Sequence, residues 1–276
     1  PTRTTTAFRP PAPAAAWTQA PVSAPWPRAT FFCFLVFRGG TWEEDLVRTA
    51  LATQSSVFAC DDHLLLSDVA TGILPGRPGP GGRIQAAPGS WQHVARLRRA
   101  ITSHNPPGDD GPLQNTAVFL TAWQQVREER RYSLRDWTVK VDPDTVFFPQ
   151  RLGAALPRVP GVGAAAPALV AKNCADGNRL SGSLEVLSRA AVDRLVGDGG
   201  MTWCNGVLNW LIMGEDAYLA ACMEHLGVKS IPIGALADSN CGAAVSPCTS
   251  GAAAYHPART PKRFVTCVLE ARAPVP

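Results

Sequence analysis

The longest unbroken apolar run in the chain is Phe31-Phe32-Cys33-Phe34-Leu35-Val36-Phe37. With Thr30 ahead of it, this run predicts a buried strand, and it falls far short of the ~18 consecutive apolar residues of a membrane-spanning helix. Gly39-Gly40 punctuates its end. Thr41, with Glu44 three residues on, then forms a capping-box start for a helix whose apolar side is Leu46, Ala50 and Leu51. Apolar stretches at 55–59 and 64–67 read as short strands. Strand, helix, strand is the opening of an α/β fold.

Glycine and proline crowd 72–90 and 105–112, which read as loops around a short basic helix at 91–101. A stronger helix starts at Asn115, with Phe119, Trp123 and Val126 on one side and Arg127, Arg130 and Arg131 at its end, where cations complement the helix dipole. Strands are expected within 137–148, 163–172 and 183–187. Ser188 can cap a helix carrying Val192 and Leu195 as far as Gly197, and a further helix over 216–226 has Leu219, Met223 and Leu226 as its apolar side. Residues 239–276 read as mostly loop with a final strand at 264–269. Residues 1–28, rich in Pro, Ala and Thr without periodicity, form a tail or stem, leaving 29–276 as a single domain.

Composition narrows the function classes. The 276 residues suffice for a substantial core, and 46% of them are hydrophobic. A net charge of +4 with scattered basic residues is too weak a footprint for nucleic acid, so no nucleic-acid partner is expected. Any membrane attachment would need an anchor outside this chain. Eight cysteines without a Cys-x-x-Cys pair disfavour a structural zinc site and permit disulfides of a secretory lumen. Cys33, inside the apolar run, reads as a buried thiol, whereas Cys241 and Cys248 are the better disulfide candidates.

The chemistry concentrates in Trp137-Thr138-Val139-Lys140-Val141-Asp142-Pro143-Asp144. Side chains of a strand alternate faces, so Trp137, Val139 and Val141 are expected to be buried, with Asp142 and Asp144 pointing together to the other side. Two aligned carboxylates at a strand's carboxyl end repel each other and suit a hard divalent cation, at the edge where ligands of α/β sheets sit; a solvated turn is the alternative. Lys140 can contact a phosphate or pair with a neighbouring Asp. Asp61-Asp62-His63 offers a second cation site, but reads rather as a solvated turn between two short strands. Trp210 belongs with the core and Trp203 is a candidate for stacking on a sugar ring.

Here the sequence resembles the Fringe and core-1 β-1,3-galactosyltransferase group, glycosyltransferase family 31 and its relatives. The helix ending at Arg127 to Arg131, Asp136-Trp137 and Lys140-Val141-Asp142-Pro143-Asp144-Thr145 look like the region around that group's Lys-Ala-Asp-Asp-Asp-Thr motif. In the same order, Ser181-Gly182-Ser183-Leu184-Glu185-Val186-Leu187-Ser188-Arg189 is similar to its Gly-rich strand leading to a Leu-Ser-Arg helix start. Gly214-Glu215-Asp216-Ala217-Tyr218 is similar to its Glu-Asp-Val motif, and Tyr255-His256-Pro257 to its late Phe-His element. Pro143 replaces the middle acid, and Ser183 stands where a smaller residue is usual.

The resemblance implies a GT-A-type nucleotide-sugar-binding fold with a mixed central sheet flanked by helices. It also implies Mn²⁺ or Mg²⁺, a nucleotide-sugar donor (usually a UDP-sugar), a glycan or glycoprotein acceptor, and a place in the Golgi or secretory lumen. Carried over, Asp144 ligates the metal directly and Asp142 holds the donor ribose or a metal-bound water. His256, otherwise a surface-loop histidine, adds a nitrogen ligand. Asp216 is the general base of an inverting transfer, at a helix N-terminus where a carboxylate is favoured. Gly182 and Trp203 line the substrate site, and Glu215 binds the acceptor or supports the loop. Without the resemblance, Glu215 and Asp216 are equally good helix-capping acids. Two alternatives are a haloacid-dehalogenase-type phosphatase with Asp142 as nucleophile in Asp142-Pro143-Asp144-Thr145-Val146, and a catalytically silent carbohydrate-binding relative.

Overall fold

The computed structural model describes residues 28–101, 115–157, 166–174, 176–177, 179–197, 199–238, 241 and 248–273. The loop expected at 105–112 and all of the expected tail but Arg28 lie outside the described residues. Strand β1 (Phe31–Phe37) is the apolar run, buried at every position. Phe31, Cys33, Leu35 and Phe37 enter one core cluster, and Phe32, Phe34 and Val36 a second, as the pleat of a strand covered on both faces requires.

Helix α1 (Trp42–Thr53) starts where expected. The Thr41 hydroxyl accepts from the Glu43 N–H, while the Glu44 carboxylate accepts from the N–H of Gly40, one residue before the cap. The strand expected at 55–59 is instead a 3₁₀ turn, Ser56–Ala59. Ser56 has φ 54°, which turns the chain and brings Cys60 to Cys33. Strand β2 (Asp62–Ser67) follows.

The helix expected at 91–101 does not form. Strands β3 (Gly72–Ile73) and β6 (Gln92–His93) pair as one ribbon, β4 (Gly76–Pro78) and β5 (Ile84–Ala86) as another, and β7 (Ala95–Arg96) lies along β2. The Val94 and Leu97 N–H groups bond to the carbonyls of Thr71 and Ser67, so distant partners satisfy a backbone that a short helix would have had to nucleate alone.

Helix α2 (Thr116–Glu129) buries Trp123 and Val126, as expected. After β8 (Trp137–Val141), β9 (Val146–Phe147) and α3 (Pro149–Ala155) come β10 (Leu169–Cys174) and β11 (Leu184–Ser188). Ser188 caps α4 (Arg189–Val192), whose path continues as a π-helical turn to Gly197. Helices α5 (Gly200–Val207) and α6 (Glu215–His225) lead to β12 (Lys229–Asp238), a strand whose Pro232 and Gly234 hide it from pattern reading. After β13 (Ala254–His256), the strand expected at 264–269 is part of helix α7 (Pro261–Arg272). Thr260 caps α7 by accepting from the Arg263 N–H, and Phe264, Cys267, Val268 and Ala271 fall on its buried side at helical spacing.

Among the described residues, nine strands form one mixed sheet in the order β7-β2-β1-β8-β11-β10-β12-β13-β9. Helices α1 and α3 cover one face, and α2, α4, α5 and α6 the other. Strand β8 runs parallel to β1, β11 antiparallel to β8, and β10 antiparallel to β11; β12 and β13 follow β10 in parallel. The carboxyl ends of β1, β8, β10, β12 and β13 therefore share one edge of the sheet with the amino end of β11.

All eight cysteines are bridged: Cys33–Cys60, Cys174–Cys241, Cys204–Cys222 and Cys248–Cys267. Cys241 and Cys248 are bonded as expected, each to a different partner, but Cys33 is not a thiol. Four disulfides suit an oxidising, secretory-type compartment. Among the described residues, no helix is long and apolar enough to cross a membrane.

Candidate metal centre

Asp142 follows the last residue of β8, Asp144 lies two residues on, and His256 ends β13. The shared sheet edge brings them together, and one potential ligand atom from each lies within 4.8 Å of the others. Asp144 and His256 are nearly covered, while the Asp142 side chain keeps 27% of its surface open. His256 Nε2 is 3.3 Å from Asp144 Oδ1, and Arg259 Nε is 3.6 Å from Asp144 Oδ2. Two carboxylates and an imidazole form a donor set that could hold a metal ion.

On its far side, His256 Nδ1 lies 3.1 Å from Oδ2 of Asp238, the last residue of β12, although the ring N–H does not point squarely at that oxygen. Asp238 is fully buried and accepts hydrogen bonds from the Ser181 and Ser183 hydroxyls, both at 2.9 Å. Burial works against a charged imidazole, but the carboxylates of Asp144 and Asp238 outweigh it and hold the His256 pKa up at about 9.

The polar side of β8 is buried as well as the apolar side. Thr138 and Lys140 are as buried as Val139 and Val141, because α2 and α6 close over that face. The Lys140 ammonium donates to the Gly182 carbonyl at 2.6 Å and to Glu215, pairs with Asp142 at 2.6 Å, and sits 4.1 Å above the Phe119 ring. Burial disfavours its charge, yet the carboxylates around it, Asp142 first and then Glu215, overcome that and hold it protonated. Of the two roles open to Lys140, the structure selects the carboxylate partner. Burial pushes Glu215 up to about 8 against the pull of Lys140. Glu185, opposite Lys140 on β11, is raised well above the usual carboxylate range by burial, and neither of its oxygens has a hydrogen-bond partner among the described residues.

Asp142, Asp144, His256, Gly182, Glu215 and Asp216 line a cleft of about 880 Å³. Asp216 is the second residue of α6, half-buried, its carboxylate accepting from the Ala217 N–H. Gly182 is required by proximity, since a Cβ there would lie 2.9 Å from the pinned Glu215 carboxylate. Trp203 is not brought to this cleft: it is 48% exposed on α5, edge-on to His225. The acidic group at 61–63 is absorbed structurally, with Asp61 accepting from the Phe31 N–H and pairing with Arg28, and Asp62 pairing with Arg131.

Sequence reasoning missed Asp238, Glu185 and the cleft residues Arg38, Arg179 and Arg259. Asp238 did carry a signal, since the mostly apolar stretch from Ile231 to Ala237 ends in it much as the run in β8 ends in Asp142. Compared with known proteins, the chain matches no family model and no curated protein.

Proposed function

We propose that the protein is a metal-dependent, inverting glycosyltransferase of GT-A architecture. It moves a sugar from a nucleotide-sugar, a UDP-sugar by the resemblance, to a hydroxyl of a glycan or glycoprotein in the Golgi or another secretory lumen. The observation that supports this most is the convergence of Asp142, Asp144 and His256 in one cleft that also holds the Asp216 carboxylate.

When bound, a divalent cation neutralises the charge that develops on a departing diphosphate. Asp142, Asp144 and His256 would hold it. Arg259, 71% exposed in its side chain and within 3.6 Å of Asp144, can turn toward the same phosphate oxygens. Asp216 accepts the acceptor hydroxyl's proton as that oxygen bonds to the anomeric carbon. The bond from that carbon to the diphosphate oxygen breaks on the opposite face, so the configuration inverts. Lys140 and Glu215 tie the end of β8 to the start of α6 and so set the spacing between the metal ligands and Asp216.

A thermal-shift panel of nucleotide sugars with and without Mn²⁺ tests this reading. The expected result is stabilisation by one class of donor that requires Mn²⁺ and disappears in Asp144→Ala. Asp216→Asn should keep that donor binding and lose transfer by about 10²- to 10⁴-fold, the usual contribution of a general base. A phosphoaspartate trapped at Asp142 would replace this reading with phosphatase chemistry, and donor binding without turnover on any acceptor would leave a binding protein.

A further inference from the structure

The Ser181-Gly182-Ser183 turn lies at the wall of the cleft, and its two hydroxyls are engaged by one carboxylate. Both donate to Oδ2 of Asp238, which is wholly buried, and the two serine oxygens are 3.0 Å apart. The turn is itself fixed: Asn173 accepts from the Ser181 N–H and donates to the Ser181 carbonyl, both at 2.8 Å, and the Ser183 carbonyl accepts from the Asp142 N–H and the Thr145 hydroxyl. The same Asp238 oxygen faces His256 Nδ1 at 3.1 Å. Backbone pairing places Asp238 directly beside His256, on β12 and β13.

An imidazole binds a metal through one nitrogen only when its proton sits on the other, and a fixed carboxylate beside that other nitrogen selects the tautomer and the ring orientation. We propose that Asp238, clamped by Ser181 and Ser183, is a positioning residue that keeps the proton of His256 on Nδ1 and presents Nε2 to the cation held with Asp142 and Asp144. The inference rests on the metal centre argued above and assigns a role to three residues outside the ligand set. It gives the serine at 183 a task that a glycine or alanine there, lacking the hydroxyl, could not perform.

The test is a double-mutant cycle read by Mn²⁺ affinity of the full chain, measured by calorimetry or by the magnetic-resonance signal of free Mn²⁺, with no donor present. Asp238→Asn should weaken Mn²⁺ binding about 10- to 100-fold, as expected for the loss of a ligand-orienting carboxylate. In a His256→Ala background the same change should alter affinity by less than about threefold, because the residue it positions is gone. Equal losses in both backgrounds would mean that Asp238 acts only through its charge or through packing, and would overturn the proposal. So would unchanged affinity in Asp238→Asn while the native chain binds Mn²⁺. A native chain that binds no Mn²⁺ overturns the metal centre itself. If Asp238→Asn shows no cooperative thermal transition in EDTA, the pair Ser181→Ala and Ser183→Ala carries the same cycle, with a smaller loss that again vanishes without His256.

Discussion

Glu185 is the residue at which burial and charge conflict most. It faces Lys140 across the β8–β11 ladder with neither carboxylate oxygen hydrogen-bonded among the described residues, while Asp142 and Glu215 already hold the ammonium. A fully buried carboxylate without partners keeps its proton, so its folded-state pKa stands above the unfolded value near 4.5. Between those two values the folded chain binds more protons than the unfolded chain, and stability falls as pH rises through that window. Glu185→Gln keeps the shape and removes the ionisation. The variant should match the native chain near pH 4.5 and exceed it in thermal midpoint at pH 8, giving a flatter slope of midpoint against pH. An equal or steeper slope would show that Glu185 is ionised in the fold. Lys140 and the two acids of the β8 end were legible in sequence as a strand with a polar parity. That this parity is buried was not, because burial is decided by α2 and α6 packing over it.

Among the elements, β1 and its partners show how far a local pattern carries. Seven consecutive apolar residues specify a strand without reference to the rest of the chain, and Thr41 with Glu44 specifies where α1 begins. The same pattern misassigns Cys33, since an apolar run is compatible with a thiol or with a bridge. The choice falls to the turn at Ser56, which delivers Cys60. Closing the 27-residue separation is worth about 3–4 kcal/mol on loop-entropy grounds. Replacing Cys33 and Cys60 together by Ala should therefore lower unfolding stability by about 2–4 kcal/mol in denaturant titration, with the other three bridges intact by mass spectrometry under non-reducing conditions. A loss under about 0.5 kcal/mol would count against the bridge. Helix α7 was misassigned although its signals, Thr260-Pro261 and apolar residues at 264, 267, 268 and 271, are all present; six apolar-rich positions fit either period when read over a short window.

For the molecule as a whole, the cleft is where separate parts of the chain are tied together: β8, β12 and β13 meet there, and a cation gripped by Asp142, Asp144 and His256 would brace the β8 turn against β13. A ligand that binds only the folded state adds about 2.7 kcal/mol when present at 100 times its dissociation constant. The thermal midpoint should thus rise with Mn²⁺ concentration and return to its starting value in EDTA, and Asp144→Ala should abolish the rise. A midpoint indifferent to Mn²⁺ and Mg²⁺ would count against the site. Sequence alone determined the strand β1, the helices α1, α2 and α6, the α/β class and the acids at the end of β8, because each is set by side-chain periodicity and capping within a few residues. The tertiary structure decided the partners: Asp238 behind His256, Glu185 and Glu215 around Lys140, Cys60 for Cys33, and the removal of Trp203 from the site. Those contacts join residues far apart in the chain, and local spacing carries no information about which distant strand will lie beside another.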